Sequence, residues 1–136
     1  AWDRAAAQMV AFHETYDFYI TPATAYPAPK VGGLAHSEEA QQQLREKMAR
    51  LDTVEEQQQL IYDMFLPSLT YTPFTQLANL TGQPAMSLPL HVTDDGLPLG
   101  VQVMANKGEE DKLLRLAFEL EQSELWIGME GNPMMS

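Results

Sequence analysis

Five serines, three histidines and several runs of adjacent carboxylates are the side chains here whose types could carry hydrolytic, metal or acid–base chemistry. A serine nucleophile needs a tight turn, an activating base within hydrogen-bond reach and amide donors for the oxyanion. None of Ser37, Ser68, Ser87, Ser123 and Ser136 lies between the glycines of a nucleophile elbow. Ser87 alone is embedded in an apolar run, where a small hydroxyl residue packs against a neighbouring element or bonds a loop. His13, His36 and His91 are too dispersed for zinc, which takes three or more ligands with recognisable pair spacing. His13 falls on an apolar helical face and reads as a hydrogen-bonded core histidine. Asp94-Asp95-Gly96 lacks the later oxygen ligands of a calcium loop and is accounted for by a hairpin turn. Gly32-Gly33 lacks the following helix, Lys and hydroxyl residue of a phosphate cradle and reads as a bend. The carboxylate pairs at 38 and 39, 55 and 56, and 109 and 110 each fall near a helix start, where they complement the macrodipole.

The elements that must position these groups follow from periodicity. Trp2, Ala5, Ala6, Met9, His13 and Tyr16 recur at three-and-four spacing and predict a helix over residues 2 to about 16. Asp17 to Thr21 predicts a short buried strand stopped by Pro22. Prolines 22, 27 and 29 hold the next stretch extended, giving a long irregular connection from Pro22 to Gly33. Ser37 is an N-cap for a mostly solvated helix whose apolar positions are Leu44, Met48 and Leu51. Thr53 and Glu56 have capping-box spacing, with Leu60, Ile61, Met64 and Phe65 as a stripe behind them. Residues 37–70 thus read as a helical excursion on the scaffold, a lid or a partner surface.

A short helix is expected from Pro73, at its first position, to Gly82, whose missing Cβ permits a left-handed cap. Met86, Leu88, Leu90 and Val92 alternate with Ala85, Ser87, Pro89 and His91, and Leu99 to Met104 follows the turn at Asp94-Asp95-Gly96. These runs predict a hairpin, with Pro89 at a bulge or facing outward because it cannot donate to a ladder. Leu113, Leu116, Ala117 and Leu120 mark one face of a last helix. Residues 128–136 are expected to be a disordered tail.

Composition narrows the class. The chain has 136 residues, one domain's worth, with 45% hydrophobic and 20% charged residues, as in globular proteins. Its net charge of −11, with eight Lys and Arg among nineteen carboxylates, argues against nucleic acid as a partner, which needs clustered cations. With no cysteine, disulfides and thiolate metal sites are excluded, and a cytoplasmic location is expected. No run approaches the roughly 18 consecutive apolar residues of a membrane span. No metal or cofactor is expected. The start at Ala1-Trp2-Asp3, without Met and already in a helical pattern, suggests a cut inside a longer protein.

Taken jointly, Thr21-Pro22-Ala23-Thr24, the run Asn79 to Pro89, the run Asp95 to Gln102, and Leu113-Leu114-Arg115-Leu116-Ala117-Phe118-Glu119-Leu120-Glu121 resemble the C-terminal third of amidase signature enzymes. The match covers most of residues 10 to 127. The resemblance implies an α/β fold, here the closing strands and helices of a mixed sheet, with an α+β appearance when taken alone. It also implies hydrolysis of carboxamide C–N bonds by a Ser, a second Ser with a cis peptide, and a Lys. The serines are set in a Gly- and Ser-rich signature that nothing in this chain matches, and Lys30, Lys47, Lys107 and Lys112 have no catalytic context. By that resemblance this chain is a C-terminal piece of an amidase, inactive alone. Phe74, Asn79 and Thr81 are the candidate contributors to the substrate pocket. Near Thr72 the chain lacks the acidic residue that precedes Asn-Leu-x-Gly in subunits acting on amino-acid amides. The context Tyr71-Thr72-Pro73-Phe74-Thr75 resembles that of stand-alone hydrolases of aliphatic or aryl amides, which are the expected small-molecule substrates. An autonomous binding or regulatory module on the same scaffold remains the alternative. A fragment should expose former interfaces and self-associate, whereas an evolved module should have covered them.

Overall fold

The computed structural model describes residues 2–128, and the expected disordered tail therefore lies, but for Gly128, outside the described residues. The elements run α1 (Trp2–His13), β1 (Tyr19–Pro22), α2 (Glu38–Met48), α3 (Val54–Tyr71), α4 (Thr75–Thr81), β2 (Ala85–Leu88), β3 (Val101–Met104) and α5 (Glu110–Glu121). They fall into two compact units, Pro29–Thr72 and the chain on either side of it.

The discontinuous unit is built on a three-stranded antiparallel sheet in the order β1-β3-β2. Its register pairs Thr21 with Gln102 and Gln102 with Ser87, so these three polar residues form one rung on one face. Ile20, Val103 and Met86 form the next rung on the other face. There Leu88, Val103, Ala105 and Leu113 make the core, and Phe18, Met86, Leu90, Leu116, Ala117, Leu120 and Trp126 pack around it. The three-and-four spacing of Leu113, Leu116, Ala117 and Leu120 along α5 is what puts them on this face together.

Two boundaries differ from expectation. Pro22 does not stop β1 but is its last residue, opposite Val101; β1 is an edge strand, the place where a proline's missing donor is tolerated. The hairpin is shorter than the alternation suggested, because Pro89 ends the ladder. Beyond it only Val92 bridges to Pro98, and Gly96, at φ +80°, closes the turn with its amide on the Thr93 carbonyl at 2.8 Å.

Gly100 shows why β2 and β3 approach as they do. A Cβ there would collide with the Ser87 hydroxyl and lie 3.4 Å from Ala23 Cβ. Ser87 is therefore a packing residue of the hairpin, its hydroxyl seated where position 100 has no side chain.

The second unit is a helical hairpin. Ser37 caps α2, its hydroxyl accepting from the Ala40 amide at 3.2 Å. Thr53 and Glu56 form the capping box of α3: Thr53 Oγ1 accepts from the Glu56 amide, and the Glu56 carboxylate accepts from the Thr53 and Asp52 amides. Those backbone donors hold the Glu56 carboxyl below the usual carboxylate range. The stripe expected behind the box is only partly inward: Leu60 is buried, while Ile61, Met64 and Phe65 are exposed. Pro67 lies inside α3, where its ring removes the amide that would bond the Asp63 carbonyl.

Candidate substrate-pocket region

The three pocket candidates lie on or beside α4. This helix ends at Gly82, in the left-handed conformation with φ +69°, whose amide returns to the Ala78 carbonyl at 2.8 Å. Lys107 lies over that end: a Cβ on Gly82 would come within 3.3 Å of its ammonium, which complements the helix's negative terminus. At the other end the expected proline is displaced. Pro73 precedes the N-cap, Phe74 is the N-cap itself, and no side chain caps the first turn.

A helix advances about 100° per residue, so Phe74, Ala78 and Thr81 share one side and Asn79 points away from it. Burial agrees. Ala78 and Thr81 are buried, Phe74 is half-buried and Asn79 is exposed, its amide donating to the Thr75 carbonyl at 3.5 Å. The structure thus places Phe74 and Thr81 on one side of α4, two turns apart, and Asn79 on the other.

Thr81 is 2% exposed, and its hydroxyl, with one proton to give, lies 2.8 Å from the Leu77 carbonyl and 2.9 Å from Gln83 Oε1. Gln83 in turn donates to the Ala105 carbonyl at 3.2 Å, tying the end of α4 to the end of β3. Within these residues the Thr81 hydroxyl serves the scaffold. Phe74 is linked to the sheet differently: Gln102 Nε2 on β3 reaches the Phe74 carbonyl at 3.5 Å and Thr21 Oγ1 on β1 at 3.4 Å.

Gln102, Gln83 and Thr21 are the buried polar groups of this region that the motif reading passed over as site residues. The signal for Gln102 was present: a lone amide in Val101-Gln102-Val103, where alternation places it on a face of its own. The signal for Gln83 was absent, because a Gln in a connection after a helix reads as solvated.

Among the described residues no serine gains a base. Ser37 caps a helix, Ser123 donates to the Leu120 carbonyl at 2.7 Å, and Ser87 packs on Gly100. His13 Nδ1 bonds the Tyr16 carbonyl at 2.9 Å, and its Nε2 is buried without a partner among the described residues. His36 Nε2 bonds the Met64 carbonyl at 2.9 Å. Among the described residues no lysine or histidine is hydrogen-bonded to a serine hydroxyl, and no three His, Asp or Glu side chains gather as metal ligands. No described helix is long and apolar enough to cross a membrane.

A cleft of about 460 Å³ opens between α2 and α3, lined by Gln43, Lys47, Arg50, Glu56, Leu60 and Asp63 among others. Its chemistry is turned inward. Lys47 and Asp63 pair at 3.0 Å, and a hydrogen bond from Gln59, followed by Lys47, holds the Asp63 carboxyl below the usual range.

Comparison with known proteins agrees with this geometry. The family model described as Amidase matches residues 2–114. A lipoamidase of Enterococcus faecalis is 45% identical over 120 residues, covering 85% of this chain and 16% of that protein. The 6-aminohexanoate-cyclic-dimer hydrolase of Paenarthrobacter ureafaciens is 34% identical over 113 residues, 82% of this chain and 20% of that one. A solved structure of 6-aminohexanoate cyclic dimer hydrolase complexed with substrate superposes with a TM-score of 0.66 at 31% identity, over 88% of this chain and 22% of the other. The chain thus spans roughly a fifth of the length of these relatives. With the family model matching residues 2–114, the chain belongs to the amidase family.

Proposed function

We propose that this chain is the C-terminal segment of an amidase that adds water across a carboxamide C–N bond, releasing a carboxylic acid and an amine or ammonia. The Ser-Ser-Lys group that the family resemblance implies is supplied by residues outside it. The observation that carries the reading is the combination of a family match over residues 2–114 with the scaffold roles of Ser37, Ser87 and Ser123. In this reading the segment contributes wall to the acyl pocket through Phe74, while Thr81 fixes the end of α4 and Asn79 lies on its other side, and the segment has no activity alone. Aliphatic or aryl amides are the proposed substrates, in a cytoplasmic enzyme without a cofactor. The lipoamidase and cyclic-dimer hydrolase relatives support the aliphatic class.

One further observation favours a segment over an autonomous module. Leu114 and Phe118 on α5, at 70% and 65% exposure, and Ile61 and Phe65 on α3 present large apolar side chains to solvent. A module that had evolved to stand alone would have polar residues there, and the bare chain is expected to self-associate through these faces.

The test is amide hydrolysis by the full reading frame that encodes this chain, measured beside the 136-residue chain on a panel of linear aliphatic and aryl amides. The reading predicts turnover by the former and none by the latter. Turnover by the short chain, or none by the long one on any amide, contradicts it.

A further inference from the structure

Resting on that reading, we infer that Gln102 is a positioning residue for the acyl-binding wall, setting the place of Phe74 without touching substrate itself. Its neighbours in sequence, Val101 and Val103, project to the opposite face of β3, so on its own side of the central strand the amide is followed only by the fully buried Met104. It is 6% exposed, and a buried amide is costly unless its donors are used. Both hydrogens of Nε2 have a direction to go. One acceptor is the Thr21 hydroxyl on the neighbouring strand, at 3.4 Å, and the other is the Phe74 carbonyl at the start of α4, at 3.5 Å.

The second of these contacts carries the inference. The first turn of α4 has no side-chain cap, and Phe74 is its N-cap in helical conformation, so the usual device that fixes where a short helix begins is missing. Gln102 does not cap the first-turn amides, because its Nε2 donates; it ties that end of α4 to the sheet through the Phe74 carbonyl. The other end of α4 is fixed separately, by the Gly82 turn and by the Thr81–Gln83–Ala105 chain. The helix is therefore held at both ends, and release of Gln102 frees only the end that bears Phe74. Register supports the same assignment: Thr21, Gln102 and Ser87 form one rung, and the Ser87 hydroxyl is occupied against Gly100, which leaves Gln102 the member that reaches α4.

The experiment compares Gln102→Leu with wild type in the full reading frame, using p-nitroanilides of linear acids from two to eight carbons. Loss of the tether is expected to lower the eight-to-two-carbon ratio of kcat/KM on the order of tenfold, through KM, since small displacements of a positioning group have effects of this size. The kcat for the two-carbon substrate should stay within about twofold, because the reacting groups are elsewhere. In a Phe74→Ala background the same change should leave the ratio where Phe74→Ala alone puts it. An unaltered ratio, or an equal fall in both backgrounds, overturns the inference. Gln102→Met serves if the Leu variant does not fold.

Hydrogen exchange gives a readout independent of activity: Gln102→Leu should speed exchange at Leu77 and Ala78 while leaving the β2–β3 amides unchanged. If wild type hydrolyses no amide, the functional reading fails by itself. If exchange at Leu77 and Ala78 is unaltered, the positioning role fails whatever the activity.

Discussion

The two units of this chain reach their folds by different means. In the discontinuous unit nearly every instruction is tertiary: Leu88, Val103, Met104, Ala105 and Leu113 are buried apolar residues, and Thr21, Thr81, Gln83 and Gln102 are buried polar ones. In the unit Pro29–Thr72 the only buried residue among those described is Leu60, and order comes from the Ser37 cap, the Thr53–Glu56 box and the Lys47–Asp63 pair. Burial gives a unit one cooperative transition, whereas caps and exposed ion pairs act locally and weakly. The sheet unit should therefore behave as a rigid platform and the hairpin as a region that opens independently.

The largest effect should come from emptying the platform's core. Met104→Ala is expected to cost about 2–5 kcal/mol and lower a single thermal midpoint, while Leu60→Ala, the matching deletion in the hairpin, should speed exchange within residues 29–72 only. One common transition shifted by both variants would break the contrast. Next, Gly100→Ala should cost about 1–3 kcal/mol, because its Cβ collides with the Ser87 hydroxyl. Ser87→Ala should recover most of that loss in the double variant, since Ala23 Cβ, the next neighbour, is at 3.4 Å. Chemical denaturation of the four proteins checks this coupling.

In the hairpin, Thr53→Ala should cost about 1 kcal/mol by removing the acceptor for the Glu56 amide, read as local exchange at the start of α3. The smallest effect is a pH dependence. The Asp52 and Thr53 amides lower the folded Glu56 pKa, so its contribution is complete above the ordinary carboxylate value and is lost as pH falls through the lowered one. Acidification should fray α3 at its N-terminus before the sheet melts. In the platform the sign is reversed at Lys112. Asp17, then Glu109, raises its pKa, and its contribution disappears only as pH rises through that raised value. Circular dichroism across an acid and an alkaline titration, with residue-level exchange, distinguishes the two.

The same contrast explains what could be read from sequence. Both caps of the hairpin were legible because a cap is a local pattern, Ser37 or Thr53 with Glu56 three residues on. Gly82 was legible for the same reason, as an αL stop after an apolar turn. The platform yielded its strands and the inward face of α5 through periodicity, but not the order β1-β3-β2, which joins residues some 80 positions apart. Pro22 was misjudged because whether a strand tolerates proline depends on its being at an edge, a property of the sheet rather than of the residue. In the candidate site, motif spacing pointed to α4, yet it could not tell that Asn79 faces away from Phe74 and Thr81, or that Gln102 reaches Phe74 across the sheet. Those are consequences of packing between elements distant in sequence.

The account's central claim is that the nucleophile lies outside these 136 residues, and a serine-reactive fluorophosphonate tests it most directly. The full reading frame and the short chain would be treated in parallel and the adduct located by peptide mass spectrometry. The account predicts one labelled serine in the full protein, at a position not contained in this chain, and no labelling of the short chain. A stoichiometric adduct on Ser87, or on any of the other four serines here, would contradict it.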